Sequence, residues 1–127
     1  MRNVSIVGVG LHPWGKFTDK SFVDLGIKAI DQALADAGMP WKDIETMCSG
    51  IYIWGGNAGH LSGQYLAGVL GETGIPIMNV YAACATGSSA LRAAYLSVAS
   101  GQYDTALAVG VDISPEGFLT AKSDNPR

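Results

Sequence analysis

Apolar residues along this chain fall into two rhythms, short unbroken runs and longer stretches at helical spacing, and the two alternate. Val4-Ser5-Ile6-Val7-Gly8-Val9 is short, β-branched and closed by glycine, which predicts a buried strand. A loop from Gly10 to Lys20 follows, holding Pro13, Gly15, Trp14 and Phe17. Ser21 with Asp24 three residues on is a capping-box-like start, and Phe22, Leu25, Ala29, Ile30, Ala33, Leu34 and Ala37 then recur at helical spacing until Gly38 and Pro40. A second strand is expected within Ile44 to Ile53, from Thr46 or Cys48 onward, and a glycine-rich turn over Trp54 to Gly59. The next helix runs roughly from His60 to Leu70, closed by Gly71 and Gly74.

Ile75 to Val80 is nearly all apolar and suits a strand in a sheet covered on both faces. A helix over Cys84 to Ser100 with Gly101 at its end, then a strand over Thr105 to Asp112, complete the series. The order β-α-β-α-β-α-β predicts an α/β layered fold with a mostly parallel sheet. No repeat, linker or low-complexity segment divides residues 1–127, so one domain is expected. Ala121 to Arg127 is polar and closes no element, which gives the expectation of a larger domain interrupted there.

Composition narrows the class. With 127 residues, 48% hydrophobic and 15% charged, the chain suits a single packed core and not a disordered region. A formal charge of −3 and scattered basic residues argue against nucleic-acid binding, which needs clustered Lys and Arg. No apolar run approaches the roughly 20 residues that span a bilayer, and Pro13 comes too soon after Arg2-Asn3 for a secretory signal. Two cysteines, with no CxxC and no metal-ligand spacing to His12 or His60, indicate a reduced, cytoplasmic protein without a zinc site. The 17 glycines point to close backbone packing.

Few residues carry candidate chemistry. Gly8-Val9-Gly10 follows a predicted strand, but Pro13 stands where a dinucleotide fingerprint needs its third glycine. No nucleophile adjoins His12 or His60, so surface or packing roles stand beside a general-base role for each. Cys48 lies in a predicted strand, where cysteine acts as a small hydrophobe. Cys84 differs. It sits at a strand-to-helix junction, among Ala82, Ala83, Ala85, Gly87, Ser88, Ser89 and Ala90, small residues that let a substrate or a second backbone come near. The start of a helix offers free N–H groups and a positive dipole end, a setting that favours thiolate, the nucleophilic form. Strand, tight turn, nucleophile and helix is also the logic of the hydrolase nucleophile elbow. The alternative is a buried cysteine in a close-packed helix.

The same residues resemble a known family. Leu70-Gly71-Glu72-Thr73-Gly74-Ile75-Pro76-Ile77-Met78-Asn79-Val80 with Cys84-Ala85-Thr86-Gly87-Ser88-Ser89-Ala90-Leu91 is similar to the nucleophile region of thiolases of the sterol-carrier-protein or lipid-transfer-protein type. Val4 to Gly10 with Pro13 to Phe17 resembles the opening of that branch, and Asp104 to Gly110 the strand after its nucleophile helix. The resemblance covers nearly the whole chain, in order. It implies a thiolase-like half-fold and a Claisen reaction, in which Cys84 takes the acyl group of a 3-oxoacyl-CoA and coenzyme A, a co-substrate and not a bound cofactor, removes it. It also implies homo-oligomers paired through the strand at residues 75–80, and a possible zinc-ribbon/OB-fold partner subunit.

Departures from the family pattern accompany it. Tyr81-Ala82-Ala83 replaces an Asn-rich run, which reshapes the pocket or the subunit contact beside Cys84. The chain resembles only the first of two similar family halves. The activating histidines and the second, acid/base cysteine belong to the other half, and Cys48, His12 and His60 do not match them. A retro-aldolase of the same fold acting on a 3-hydroxyacyl-CoA, and a non-catalytic thiolase-like subunit or scaffold, are the alternatives. Trp14, Trp54 and Tyr81 are candidates for touching a bulky substrate, with core packing an equal reading.

Overall fold

The structure, a computed structural model, describes residues 1–51 and 60–114. Helix α1 covers Phe22–Ala37, strand β1 Thr46–Gly50, α2 Ser62–Leu70, β2 Ile77–Val80, α3 Thr86–Ala99 and β3 Ala106–Gly110. Two 3₁₀ turns, Trp41–Asp43 and Ala83–Ala85, precede β1 and α3. The start of α1 follows from its sequence: Ser21 Oγ accepts from Asp24 N, while the Asp24 carboxylate takes Ser21 N at 2.8 Å and Ser21 Oγ at 2.7 Å. Gly38 ends the helix in the left-handed region, at φ 63°.

The strands form one parallel sheet in the order β2-β1-β3. Met47 registers with Ile77 on one side and Leu107 on the other, and Cys48 with Met78 and Ala108. Side chains alternate across a strand, so these registers sort the sheet into two unlike faces. Met47, Leu107, Val109 and Ile77 pack with Ile30 of α1 and Leu66 of α2. On the reverse face Cys48, Ala106, Ala108 and Val80 meet Ala90 and Ala94 of α3. Among the described residues no helix is long and apolar enough to cross a membrane.

One expected strand is absent from the sheet. Residues 4–9 make no ladder, and Ile6, Val7 and Val9 are 72%, 63% and 68% exposed. Their anchors lie on α1, on the end of α3 and in the turn after it. Arg2 N donates to Ala99 O, and its guanidinium reaches Asp104 at 2.6 Å and the carbonyls of Tyr103 and Val98. Val9 N donates to Asp36 and Leu11 N to Gln32 of α1. Gly8 and Gly10 lie so close to α1 that a Cβ would fall 2.3 Å from Ala33 O and 2.0 Å from Ala29 O. Strand β1 pairs on both sides, and the segment does not join the outer edge of β3. It instead roofs a cleft of about 1040 Å³ bounded by α1, α3 and β3. The described order is therefore α-β-α-β-α-β, still an alternating, parallel α/β half-fold.

Apart from α1, whose bounds are as expected, the remaining elements are shorter than expected at their ends. Helix α3 starts at Thr86 because residues 83–85 close a tighter turn, and β2 starts at Ile77. Residues 75–76 still serve the sheet edge, since Pro76 O accepts from Met47 N and Thr46 Oγ1. The turn expected over Trp54 to Gly59, and the polar end at Ala121 to Arg127, lie outside the described residues.

Candidate active site

All three strands run the same way, so their carboxyl ends, Gly50, Val80 and Gly110, share one edge of the sheet. Open α/β sheets place ligands at that edge. Here the chain leaves β2 through Tyr81 and Ala82, turns over Ala83–Ala85 and enters α3. Cys84 stands in the middle of the turn, exposed, as a free thiol.

The turn is held and strained. Ala83 has φ 47°, a left-handed conformation that an alanine adopts only against its steric preference. Ala85 N donates to Ala82 O at 2.9 Å. Thr86 clamps the turn from below: its Oγ1 accepts from Ala82 N at 3.0 Å and donates to Ala83 O at 2.7 Å. That hydroxyl belongs to a buried residue and spends both its donor and an acceptor on the two residues before Cys84. No side chain caps α3, so the amides of its first turn are not taken up by a capping oxygen.

Close approach of α3 to the strand ends depends on two glycines. A Cβ on Gly50 would lie 2.4 Å from Thr86 Cγ2 and 3.1 Å from Thr86 O. One on Gly110 would lie 3.0 Å from Gly87 Cα. Glycine at the ends of β1 and β3 therefore lets the first turn of α3 rest on the sheet and hold Cys84 at its edge.

A second pair of side chains comes to the same edge. The Tyr81 hydroxyl lies 3.0 Å from His60 Nδ1, and the rings stand 5.5 Å apart at a tilt of 36°. Periodicity gave no sign of this contact, because the partners are 21 residues apart. Its only trace in sequence is the departure at Tyr81 from the family pattern. The Thr86 clamp and the glycine seats were equally unmarked.

The other candidates separate from this site. His12 is engaged in its own loop, with Nδ1 2.8 Å from Pro13 O, Nε2 3.0 Å from Lys20 Nζ, and its edge against Phe17. Cys48 is wholly buried between β2, β3 and α3, and burial pushes its thiol up from the ordinary range, which suits an inert packing group. Trp14 is exposed, and Trp54 lies outside the described residues. Among the described residues no three His, Cys, Asp or Glu side chains gather as metal ligands.

Comparison with known proteins bears on the family and the fold. The family model of the thiolase N-terminal domain matches residues 4–114. Sterol carrier protein 2 of Gallus gallus is 39% identical over 122 residues, which is 94% of this chain and 22% of that protein. An acetyl-CoA acetyltransferase of Methanocaldococcus jannaschii is 40% identical over 117 residues, 88% of this chain and 29% of that one. The chain thus spans between a fifth and a third of these relatives. In fold, the structure of 3-oxoacyl-[acyl-carrier-protein] synthase III from Aquifex aeolicus VF5 superposes with a TM-score of 0.65 at 16% identity, covering 75% of this chain and 30% of that one. By its sequence the chain belongs to the thiolase family, whose N-terminal domain it matches over residues 4–114.

Proposed function

We propose that this chain is the nucleophile-bearing part of a thiolase-type acyltransferase, with Cys84 as the acyl carrier. The observation that carries the reading is the position of Cys84, exposed on a strained, clamped turn between β2 and α3 at the carboxyl edge of the sheet. In the reaction the Cys84 thiolate attacks C3 of a 3-oxoacyl-CoA. The C2–C3 bond breaks, its electron pair leaves with the shortened CoA ester as an enolate, and a proton returns to C2. The shortened acyl group remains on Cys84 as a thioester. The thiol of coenzyme A then attacks that thioester, giving a new acyl-CoA and restoring Cys84. Splitting the displacement in two lowers each barrier.

The family resemblance assigns the base that takes the Cys84 proton to the second family half, which residues 1–127 do not resemble. Nothing in the turn itself supplies that base, and Cys48 is buried away from it. An assembly in which β2 meets a second copy fits the same reading, since among the described residues β2 pairs only with β1. The test is intact mass after incubation with acyl-CoA and 3-oxoacyl-CoA esters, for the chain and for its Cys84→Ala variant. The expected result is an adduct of acyl mass that needs Cys84 and disappears when coenzyme A is added. An adduct retained in the variant, or none at all together with slow alkylation of Cys84, sinks the acyl-carrier role. In that case the retro-aldolase or scaffold alternative would stand.

A further inference from the structure

We propose that Thr86 is a positioning residue for Cys84, its hydroxyl holding the thiol in one orientation through the backbone of residues 82 and 83; this rests on the reading of Cys84 as acyl carrier. Thr86 Oγ1 accepts from Ala82 N at 3.0 Å and donates to Ala83 O at 2.7 Å. Between those two backbone atoms lie four soft dihedrals, the φ and ψ of Ala82 and of Ala83. One oxygen therefore ties both ends of the segment that contains the left-handed Ala83, and the residue that follows is Cys84. Thr86 N donates to the same Ala83 carbonyl, which fixes the far side of the Cys84 peptide as well. The direction in which Cys84 projects is thus set by contacts that all end on Thr86 or within the turn.

A helical threonine often returns a bond to the carbonyl three residues before it, and that bond alone would be ordinary. What sets Thr86 apart is that the same oxygen also takes Ala82 N, so the clamp spans the unfavourable φ of Ala83 instead of merely touching it. The side chain is itself fixed. It is buried, and its methyl fills the space that a Cβ on Gly50 would enter, 2.4 Å from Cγ2. A β-branched side chain has few rotamers, and turning this one would forfeit both hydroxyl bonds. Among the described residues no other side chain hydrogen-bonds to residues 82–85. Alanine is left-handed only against its steric preference, so without the hydroxyl the turn relaxes and carries Cys84 with it.

The test separates the hydroxyl from the shape of the side chain. Thr86→Val keeps the branch against Gly50 and loses the hydroxyl, whereas Thr86→Ser keeps the hydroxyl and loses the methyl. Hydrogen exchange of the Ala82 amide reads the clamp directly. It should be slow in the parent, at least about threefold faster in Thr86→Val, and within about twofold of the parent in Thr86→Ser. Alkylation of Cys84 by iodoacetamide reads the thiol. It should slow at least about threefold in Thr86→Val, as the thiol leaves the uncapped amides of α3, and recover to within about twofold in Thr86→Ser. A threonine that only stabilised the fold would lower the unfolding midpoint and move neither rate. An unprotected Ala82 amide in the parent overturns the clamp without any variant. So does an unchanged alkylation rate in Thr86→Val, or a Thr86→Ser variant as slow as Thr86→Val, which assigns the effect to the methyl. Acyl adducts from 3-oxoacyl-CoA esters, measured in parallel, keep the two ideas apart. Adducts forming equally fast in the parent and Thr86→Val refute positioning alone, whereas the expected exchange and alkylation pattern without adducts upholds positioning and refutes acyl transfer.

Discussion

The two faces of the sheet are built from different residues, and the contrast explains where the exposed thiol lies. Toward α1 and α2 the sheet presents Met47, Leu107, Val109 and Ile77, which interlock with Ile30 and Leu66. Toward α3 it presents Cys48, Ala106 and Ala108, met by Ala90 and Ala94. Branched and long side chains bury more apolar area per residue, so the first face contributes most of the hydrophobic stabilisation. Small ones contribute less but let helix and sheet come closer together. That closeness seats the first turn of α3 on Gly50 and Gly110 and presents Cys84 at the edge. One face stabilises the domain; the other places the Cys84 thiol.

The sharpest break in the comparison is between the two thiols. Cys48 is fully buried within the small-residue face and Cys84 is exposed at its end. Alkylation of Cys48 requires the domain to open, at a cost of about 5 kcal/mol or more. Iodoacetamide should therefore modify Cys84 at least about a thousandfold faster, as followed by peptide mass spectrometry in native buffer. Comparable rates would show that α3 does not stay docked. The raised Cys48 thiol adds a pH dependence of stated sign. The unfolded thiol ionises first, so its contribution to stability is complete below the ordinary cysteine pKa and is lost as pH rises through the folded value.

Substitutions on the two faces should fail differently. Leu66→Ala empties a fully buried position on the large-residue face and should cost about 2–5 kcal/mol in denaturant unfolding. Cys84 should keep its native alkylation rate in that variant. Gly50→Ala should cost less, about 1–3 kcal/mol, because the strain is local. Thr86 cannot rotate its methyl away without giving up both hydroxyl hydrogen bonds, so the turn itself must move. The Cys84 rate should change in Gly50→Ala, and an unchanged rate would separate the turn from its glycine seat.

The smallest expected effect lies far from both faces. Ser21→Ala removes the cap of α1 and should cost about 1 kcal/mol in thermal or chemical unfolding. The Ser21 side chain, then its backbone N–H, hold the Asp24 carboxyl below its usual range. A lowered folded value contributes stability above the ordinary carboxylate pKa, and that part is lost as pH falls through the folded value. The deficit of Ser21→Ala should accordingly shrink in acid, and a constant deficit would mean that the carboxylate plays no part in the cap.

Local signals were read correctly from the chain where the physics is local. Ser21, Asp24 and Gly38 mark α1 because a cap and a left-handed stop involve residues a few positions apart. The small residues around Cys84 marked the junction after β2 for the same reason. Residues 4–9 show the limit. Their β-branched pattern states that they fit a pleated surface, not which edge receives them. They lie instead against α1, held by the carboxylate and amide of Asp36 and Gln32 and by the clasp of Arg2, and the outer edge of β3 has no strand partner among the described residues.

By itself the sequence determined the alternation of helices and strands, the family, and the thiol at the strand-to-helix junction, since each is written in neighbouring residues. Tertiary structure alone decided that Gly50 and Gly110 seat the turn that carries Cys84, that Thr86 clamps it, and that His60 meets Tyr81 across 21 residues. Those contacts depend on strand order and on how closely α3 approaches the sheet. Both are properties of the packed chain, and no short window of sequence encodes them.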